Sequence, residues 1–293
     1  MRAHGRVIAI AALLLACAVA TAGPIALKDD DGRAVDLPHP ARRAISLAPH
    51  ATELAYAAGA GDRLVGVARG SDYPPQARAL ASVGDGLAPD AERVAALRPD
   101  LVLGWLPGGA APLLPVLRAL DVPVYYSDPR TLRDIPRAVE RMGVLFGTQA
   151  VAAPAAAALQ ARIDALAARY AGRPPVRVFI QAGRDPVYTL NDSSIVSDAL
   201  RVCGGLNVFA NAPVTAPQVT REAVLAARPD VVVTGMADAA SLAATEQAWR
   251  ALGLPAALSG NVVGIDADVL YRPGPRLIEA AETLCAALDR ARH

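Results

Sequence analysis

Lysine is almost missing from this chain. Lys28 is the only one among 293 residues, the other basic residues being arginines. Without a second lysine there is no phosphate-binding loop of the Gly-Lys-Ser/Thr type and no amine for a Schiff base. Charge of one sign is also lacking. Twenty-nine basic residues face 28 acidic ones, the formal charge is +1, and no long run of like charges occurs. No patch can neutralise a phosphate backbone, so nucleic acid is excluded as a partner. The common catalytic signatures are absent as well: no Gly-x-Ser-x-Gly, no His-Glu-x-x-His, no Cys-x-x-Cys. Gly59-Ala60-Gly61 has Leu64 where a dinucleotide fingerprint needs its third glycine, and it precedes a strand pattern instead of a helix.

The first 22 residues carry Arg2 and Arg6, then an apolar run from Val7 to Ala20, then Ala20-Thr21-Ala22 as a small-residue cleavage site. This is the pattern of a secretory leader. The run is shorter than the roughly 20 residues a spanning helix needs, and no later stretch is long and apolar enough. Leu14-Leu15-Ala16-Cys17 offers a rival processing site, a lipobox in which Cys17 would be acylated and tether the chain. Cleavage after Ala22 is preferred because no polar tether follows Cys17, and a periplasmic location follows. Cys203 and Cys285 then remain, an even number in an oxidising compartment. A disulfide between them is the natural reading, with two buried thiols as the alternative. Metal ligation is weak, because neither has a His or a second Cys close in sequence.

From Ala44 onward, short aliphatic runs alternate with longer Ala/Leu/Arg stretches of helical period, the mark of an α/β class with parallel sheets. Ala44 to Ala48, Leu64 to Ala68, Leu101 to Trp105 and Val122 to Tyr126 read as strands of a first sheet. Val176 to Ala182, Asn207 to Phe209, Val231 to Thr234 and Val262 to Ile265 read as strands of a second. Lys28 to Arg43 reads as a polar lead-in. Between the sheets, Gln149 to Tyr170 carries Leu159, Ile163 and Leu166 at helical spacing and stops at Gly172-Arg173-Pro174-Pro175. The expected organisation is a leader at 1–22, a first lobe at 23–148, one linking helix at 149–173 and a second lobe at 174–293.

An internal repeat supports two lobes over one large sheet. Glu92-Arg93-Val94-Ala95-Ala96-Leu97-Arg98-Pro99-Asp100-Leu101-Val102-Leu103 aligns with Glu222-Ala223-Val224-Leu225-Ala226-Ala227-Arg228-Pro229-Asp230-Val231-Val232-Val233. In both, a helix opening near the glutamate ends before Arg-Pro and Asp leads into a buried strand. The glutamates therefore occupy equivalent places, one per lobe.

Of four histidines, His4 lies in the leader, His39 in the lead-in and His293 at the terminus, which leaves His50. It follows the first strand at its carboxyl end, where open parallel sheets hold ligands, ahead of a helix opened by Thr52-Glu53. Two tryptophans, seven tyrosines and three phenylalanines are few, so their places inform. Trp105 ends a strand before Leu106-Pro107-Gly108-Gly109, Tyr73 follows another, and Tyr188 and Tyr271 are assigned to loops of the second lobe. A bulky ring on a loop usually faces a ligand or partner.

Ser46-Leu47-Ala48-Pro49-His50-Ala51-Thr52-Glu53-Leu54, Ser71-Asp72-Tyr73-Pro74-Pro75-Gln76-Ala77 and Arg98-Pro99-Asp100-Leu101-Val102 together resemble the cobalamin-binding periplasmic proteins of ABC importers. Val202-Cys203-Gly204-Gly205-Leu206-Asn207-Val208-Phe209, Pro217-Gln218-Val219-Thr220-Arg221-Glu222 and Arg272-x-x-Pro275-Arg276 extend the resemblance from Ala44 to Leu288. These motifs are those of the substrate-binding group in which one helix links two α/β lobes, a group that also takes up haem and iron siderophores.

The resemblance implies a binding protein without chemistry or cofactor of its own, a monomer that delivers its ligand to an inner-membrane permease. Glu92 and Glu222 match the glutamates that dock permease arginines, and Cys203 with Cys285 matches the family disulfide. The ligand contacts fall on His50, Trp105, Tyr188, Asp268 and Arg272, with Tyr73 a further candidate and the Asp268–Arg272 pair expected to bond corrin amides. Gly70, Gly86 and Ala216 stand where the best-known cobalamin binder has large aromatics, which implies a larger or differently filled cleft. Haem or an iron chelate is the alternative ligand, with His50, Tyr73 or Tyr271 as axial candidates. An exported α/β enzyme is the reading from another class, for which the sequence offers only His50 with Glu53 nearby.

Overall fold

A computed structural model describes residues 23–105 and 107–293; the leader with its Cys17 and Ala22 lies outside the described residues. Two parallel sheets form the two lobes. The first has five strands in the spatial order Ala81–Ser82, Leu64–Val67, Ala44–Ser46, Leu101–Gly104, Val124–Tyr126. The second has four, in the order Gly205–Asn207, Val176–Gln181, Val231–Met236, Val262–Asp266. All ladders within these two sheets are parallel. Helices cover both faces, which is why the central strands read as unbroken apolar runs.

Three departures from the sequence reading have local causes. The polar lead-in folds as an antiparallel hairpin, Ile25–Lys28 against Ala34–Leu37, with Val35 and Leu37 buried and the turn made by Gly32 at φ +80°. A fifth strand, Ala81–Ser82, joins the edge of the first sheet with two residues only, too short to show a period. The strand expected at Asn207 to Phe209 is instead Gly205–Asn207. There Asn207 accepts from the Phe209 amide and donates to the Leu190 carbonyl, turning the chain out of the sheet.

The repeat recurs in atomic detail. Asp90 and Thr220 cap the helices Ala91–Ala96 and Arg221–Ala227 with their side chains. Arg98 and Arg228, each before a proline, adopt left-handed φ of 46° and 44°, costly for a side chain with a Cβ. Each helix end is then covered by an arginine at the start of the first strand of its own sheet, Arg43 just before it and Arg177 within it. Arg43 donates to the carbonyls of Leu97 and Arg98, and Arg177 to those of Ala227 and Arg228. Asp100 and Asp230 in turn accept from the backbone amides of Arg43 and Arg177.

The linking helix spans Gln149–Tyr170, about 33 Å at 1.5 Å per residue. It follows the Asp134–Phe146 helix, which stops at Gly147 with φ +69°. The two helices approach so closely that a Cβ on Gly143 would lie 2.4 Å from that of Ala152. One apolar cluster runs from Leu54 and Leu101 through Ile163 and Leu166 of this helix to Val178, Val233 and Leu284. The lobes therefore share a core along the helix. Cys203 and Cys285 are bonded, tying the end of the Ile195–Val202 helix to the Leu277–Ala291 helix within the second lobe.

Candidate functional site

The carboxyl ends of both sheets face a cavity of about 560 Å³ between the lobes. Trp105, Asp128, Pro129 and Arg130 line it from the first lobe, and Leu190, Ser193, Thr215, Ala216 and Tyr271 are among its lining from the second. Most of this wall is apolar, as befits a site for a large organic ligand. A smaller cavity of about 300 Å³ lies wholly within the first lobe, against Leu47, Ala68 and Leu87, and Trp105 belongs to the walls of both.

Trp105 is fixed from two sides. Its indole Nε1 donates to Asp128 Oδ1 at 2.8 Å, and the ring of His50 meets it edge-on at 5.4 Å between centroids. His50 sits in the first turn of the helix Pro49–Ala57, which starts earlier than Thr52-Glu53 because Pro49 opens it. It is buried, and its Nε2 lies 3.0 Å from the Ser127 carbonyl. A carbonyl only accepts, so Nε2 carries the proton and donates. Burial lowers the imidazole to about pKa 4, and the Ser127 bond offsets only part of that. His50 is neutral at pH 7 and serves as a prop behind the indole, with the nitrogen that faces Ser127 already engaged.

The other expected contacts are dispersed. Arg272 is half-buried in an ion network that crosses between the lobes: it reaches Asp72 at 2.8 Å and Glu53 at 3.4 Å in the first lobe and Asp268 at 2.7 Å in the second. Arg276 adds a two-bond pair to Glu53, whose carboxylate is almost fully buried. Burial works against the charged form of Asp72, yet Arg272 outweighs it and holds that carboxyl below its usual range. Asp268 thus bonds Arg272, Arg272 alone also reaches the opposite lobe, and neither lines the cavity. Tyr188 is half-exposed on the hairpin Gly183–Arg184 with Val187–Tyr188, outside the cavity wall. Tyr73 lies under the Arg276 guanidinium, 4.1 Å from its ring centre, and lines a separate cavity of about 460 Å³ with Glu53 and Arg162. Tyr271 does line the main cavity, but it caps the short helix Ala267–Leu270 and its hydroxyl donates to the Gln181 carbonyl and accepts from the Gly235 amide.

The three small residues differ in kind. Ala216 lines the main cavity. Gly70 has φ +85° and nothing closer than 3.8 Å to a built Cβ. Gly86 packs its backbone onto Leu47, so that any Cβ would stand 2.2 Å from the Leu47 carbonyl oxygen. The glycine there shapes the backbone rather than leaving a hole where a ring could go. Sequence reasoning missed Asp128 and Arg130 altogether, although both follow the last strand of the first sheet at its carboxyl end, where such sites gather.

Glu92 and Glu222 are exposed in the first turns of their helices, at matching places in the two lobes. Among the described residues no group of three or more His, Cys, Asp or Glu side chains could hold a metal, and no helix is long and apolar enough to cross a membrane.

Residues 45–269 match the sequence pattern of a family described as periplasmic binding protein. The chain is 39% identical over 248 residues to the vitamin B12-binding protein of Photorhabdus laumondii, covering 84% of this chain and 88% of that one. The crystal structure of the periplasmic vitamin B12 binding protein BtuF of Vibrio cholerae matches with a TM-score of 0.79 at 38% identity, over 86% of this chain and 98% of that one. The periplasmic heme-binding protein RhuT from Roseiflexus sp. RS-1, in apo form, matches with a TM-score of 0.74 at 26% identity, over 86% and 99%.

Proposed function

The chain belongs to the periplasmic binding protein family, and on that footing we propose that it captures a corrinoid of the cobalamin type between its lobes and hands it to an inner-membrane ABC permease. The observation that carries this reading is the largely apolar interlobe cavity with a tryptophan already set in its wall by His50 and Asp128. A rigid ring facing a flat macrocycle gives contact area at little entropic cost. The cavity is smaller than a whole cobalamin, so the ligand is gripped along one side and its rim stays in the open mouth.

Haem makes a different demand. It takes an axial side chain on iron, and among the described residues that line the cavity there is no His, Cys or Met, while Tyr271 has its hydroxyl bonded on both sides. Burial also raises that phenol, against formation of a phenolate. A cobalamin brings its own axial base and asks for none. Delivery rests on Glu92 and Glu222, which present one carboxylate from each lobe to permease arginines and so set docking register and rate. Export through the leader at residues 1–22, with acylation at Cys17 as the alternative, puts the protein where such a permease is met.

Titration with cyanocobalamin and with haemin tests the ligand. Stoichiometric cobalamin binding that quenches indole fluorescence is expected. A haem Soret shift with no cobalamin signal at high micromolar ligand would overturn the reading. In the same preparation Glu92→Arg with Glu222→Arg is expected to abolish uptake and leave cobalamin binding intact, and unchanged uptake would sink the docking role.

A further inference from the structure

The donors in the wall of the interlobe cavity are mostly spent inside the protein. Trp105 Nε1 donates to Asp128, the Tyr271 hydroxyl to Gln181, and the Ser193 hydroxyl to Asn191 Oδ1 at 2.6 Å. Arg130 is the exception among the charged groups. Its Nε donates to Asp128 Oδ2 at 2.9 Å, while its two Nη groups bond to none of the described residues, and its side chain is 75% exposed. It is also the one cation among the described residues of that wall.

The turn that carries this guanidinium is held by its own backbone. The backbone amides of Arg130 and Thr131 both donate to Asp134 Oδ2, which fixes the turn. Asp134 and Asp30, the other acids close by, are ion-paired to Arg137 and Arg141, so Asp128 alone engages Arg130. One oxygen of Asp128 holds the indole and the other holds the guanidinium, so ring and cation keep a set distance across a single carboxylate. With Nε taken, the free edge of the fork is the Nη pair, the edge that bonds two oxygens of a phosphate at once.

The geometry points to Arg130 as the residue that recognises an anionic arm on the ligand, the phosphodiester through which a complete cobalamin carries its nucleotide base. Trp105 covers the macrocycle, and Arg130 reads whether the nucleotide loop is present. Asp128 is the positioning residue for both. The inference rests on the corrinoid reading above, and it makes the site selective for complete cobalamins over cobinamide, which lacks the nucleotide loop and its phosphate.

Calorimetric titration of the full chain with cyanocobalamin and with dicyanocobinamide tests it. The wild type is expected to favour the cobalamin by about tenfold or more, the scale of a charge-assisted hydrogen bond to a partly exposed group. Arg130→Gln is expected to weaken cobalamin by that factor and to leave cobinamide within about twofold. Arg130→Lys keeps the charge without the fork and is expected to fall between. Raising the salt is expected to weaken wild-type binding of cobalamin, not of cobinamide, and the Arg130→Gln variant is expected to lose that dependence, which separates the phosphate from the base. Equal losses for both ligands in Arg130→Gln, or an unchanged preference, would overturn the role of Arg130 while leaving the corrinoid reading in place. Failure of the wild type to bind either ligand would overturn the corrinoid reading, and this inference with it.

Discussion

The two lobes are alike where they meet the outside and unlike where they face each other. On the outer side the Glu, Arg-Pro-Asp and covering-arginine unit recurs down to the left-handed φ of Arg98 and Arg228. On the cleft side the first lobe offers a ring and two charges, Trp105, Asp128 and Arg130, whereas the second offers hydroxyls and small apolar groups around Ser193, Thr215 and Ala216. The difference teaches where constraint lies in a duplicated framework. On the docking role proposed above, a partner that contacts both lobes alike would keep their ends alike, while a ligand with two dissimilar faces would let the inner surfaces diverge.

The lobes also differ in how they are held, and breaking each device in turn sharpens the contrast. The largest expected effect is in the second lobe. Its disulfide closes a segment of sequence separation 82, so Cys203→Ser with Cys285→Ser is expected to cost about 4.5 kcal/mol in the chain-entropy description. Denaturant unfolding would read this, and a loss under about 1 kcal/mol would mean that the reduced second lobe keeps its fold by packing alone. The first lobe has no such bond among its described residues and leans on buried His50 instead. Its folded-state value of about 4 lies below the ordinary 6.5, so the unfolded chain binds the proton first as pH drops. Stability from this group is complete above pH 6.5 and is lost as pH falls from 6.5 toward 4, by about 3 kcal/mol in all. Comparing wild type with His50→Gln at pH 7 and pH 4.5 isolates the effect from that of the carboxylates; parallel curves would refute it. The smallest effect separates the repeat copies themselves. Asp100 accepts from the amides of both Arg42 and Arg43, Asp230 from that of Arg177 alone. Asp100→Ala is expected to cost about 2 kcal/mol and Asp230→Ala about 1, and equal melting shifts would show that the second bond to Asp100 adds nothing.

Much of this architecture was legible in the sequence because it rests on periodicity and composition. The apolar runs at Leu101 and Val231, the alanine-rich stretch from Gln149 and the aligned Arg-Pro-Asp units each place an element without reference to anything distant. The hairpin at Ile25–Lys28 and Ala34–Leu37 had a readable signal as well, alternate apolar residues on either side of Asp31-Gly32, hidden only by the overall polarity of the segment. The cleft was less legible, since its geometry depends on pairs far apart in the chain. Nothing near Arg272 in sequence announces that Glu53 and Asp72, 219 and 200 residues away, engage it. Nor does Gly86 reveal that Leu47 presses against its backbone, which turns an apparent deletion of a ring into a packing requirement.

The Glu53, Asp72, Arg272 and Arg276 network, laid over a core continuous through the linking helix, bolts one lobe to the other. Prising the lobes apart would leave the buried Glu53 carboxylate without either of its guanidinium partners. On the proposed function, a carrier braced this way would change its outline little on loading, and the ends carrying Glu92 and Glu222 would not distinguish a full copy from an empty one. Under the function proposed above, empty copies would then compete with loaded ones for the same partner, and an excess of carrier over ligand would slow import instead of speeding it.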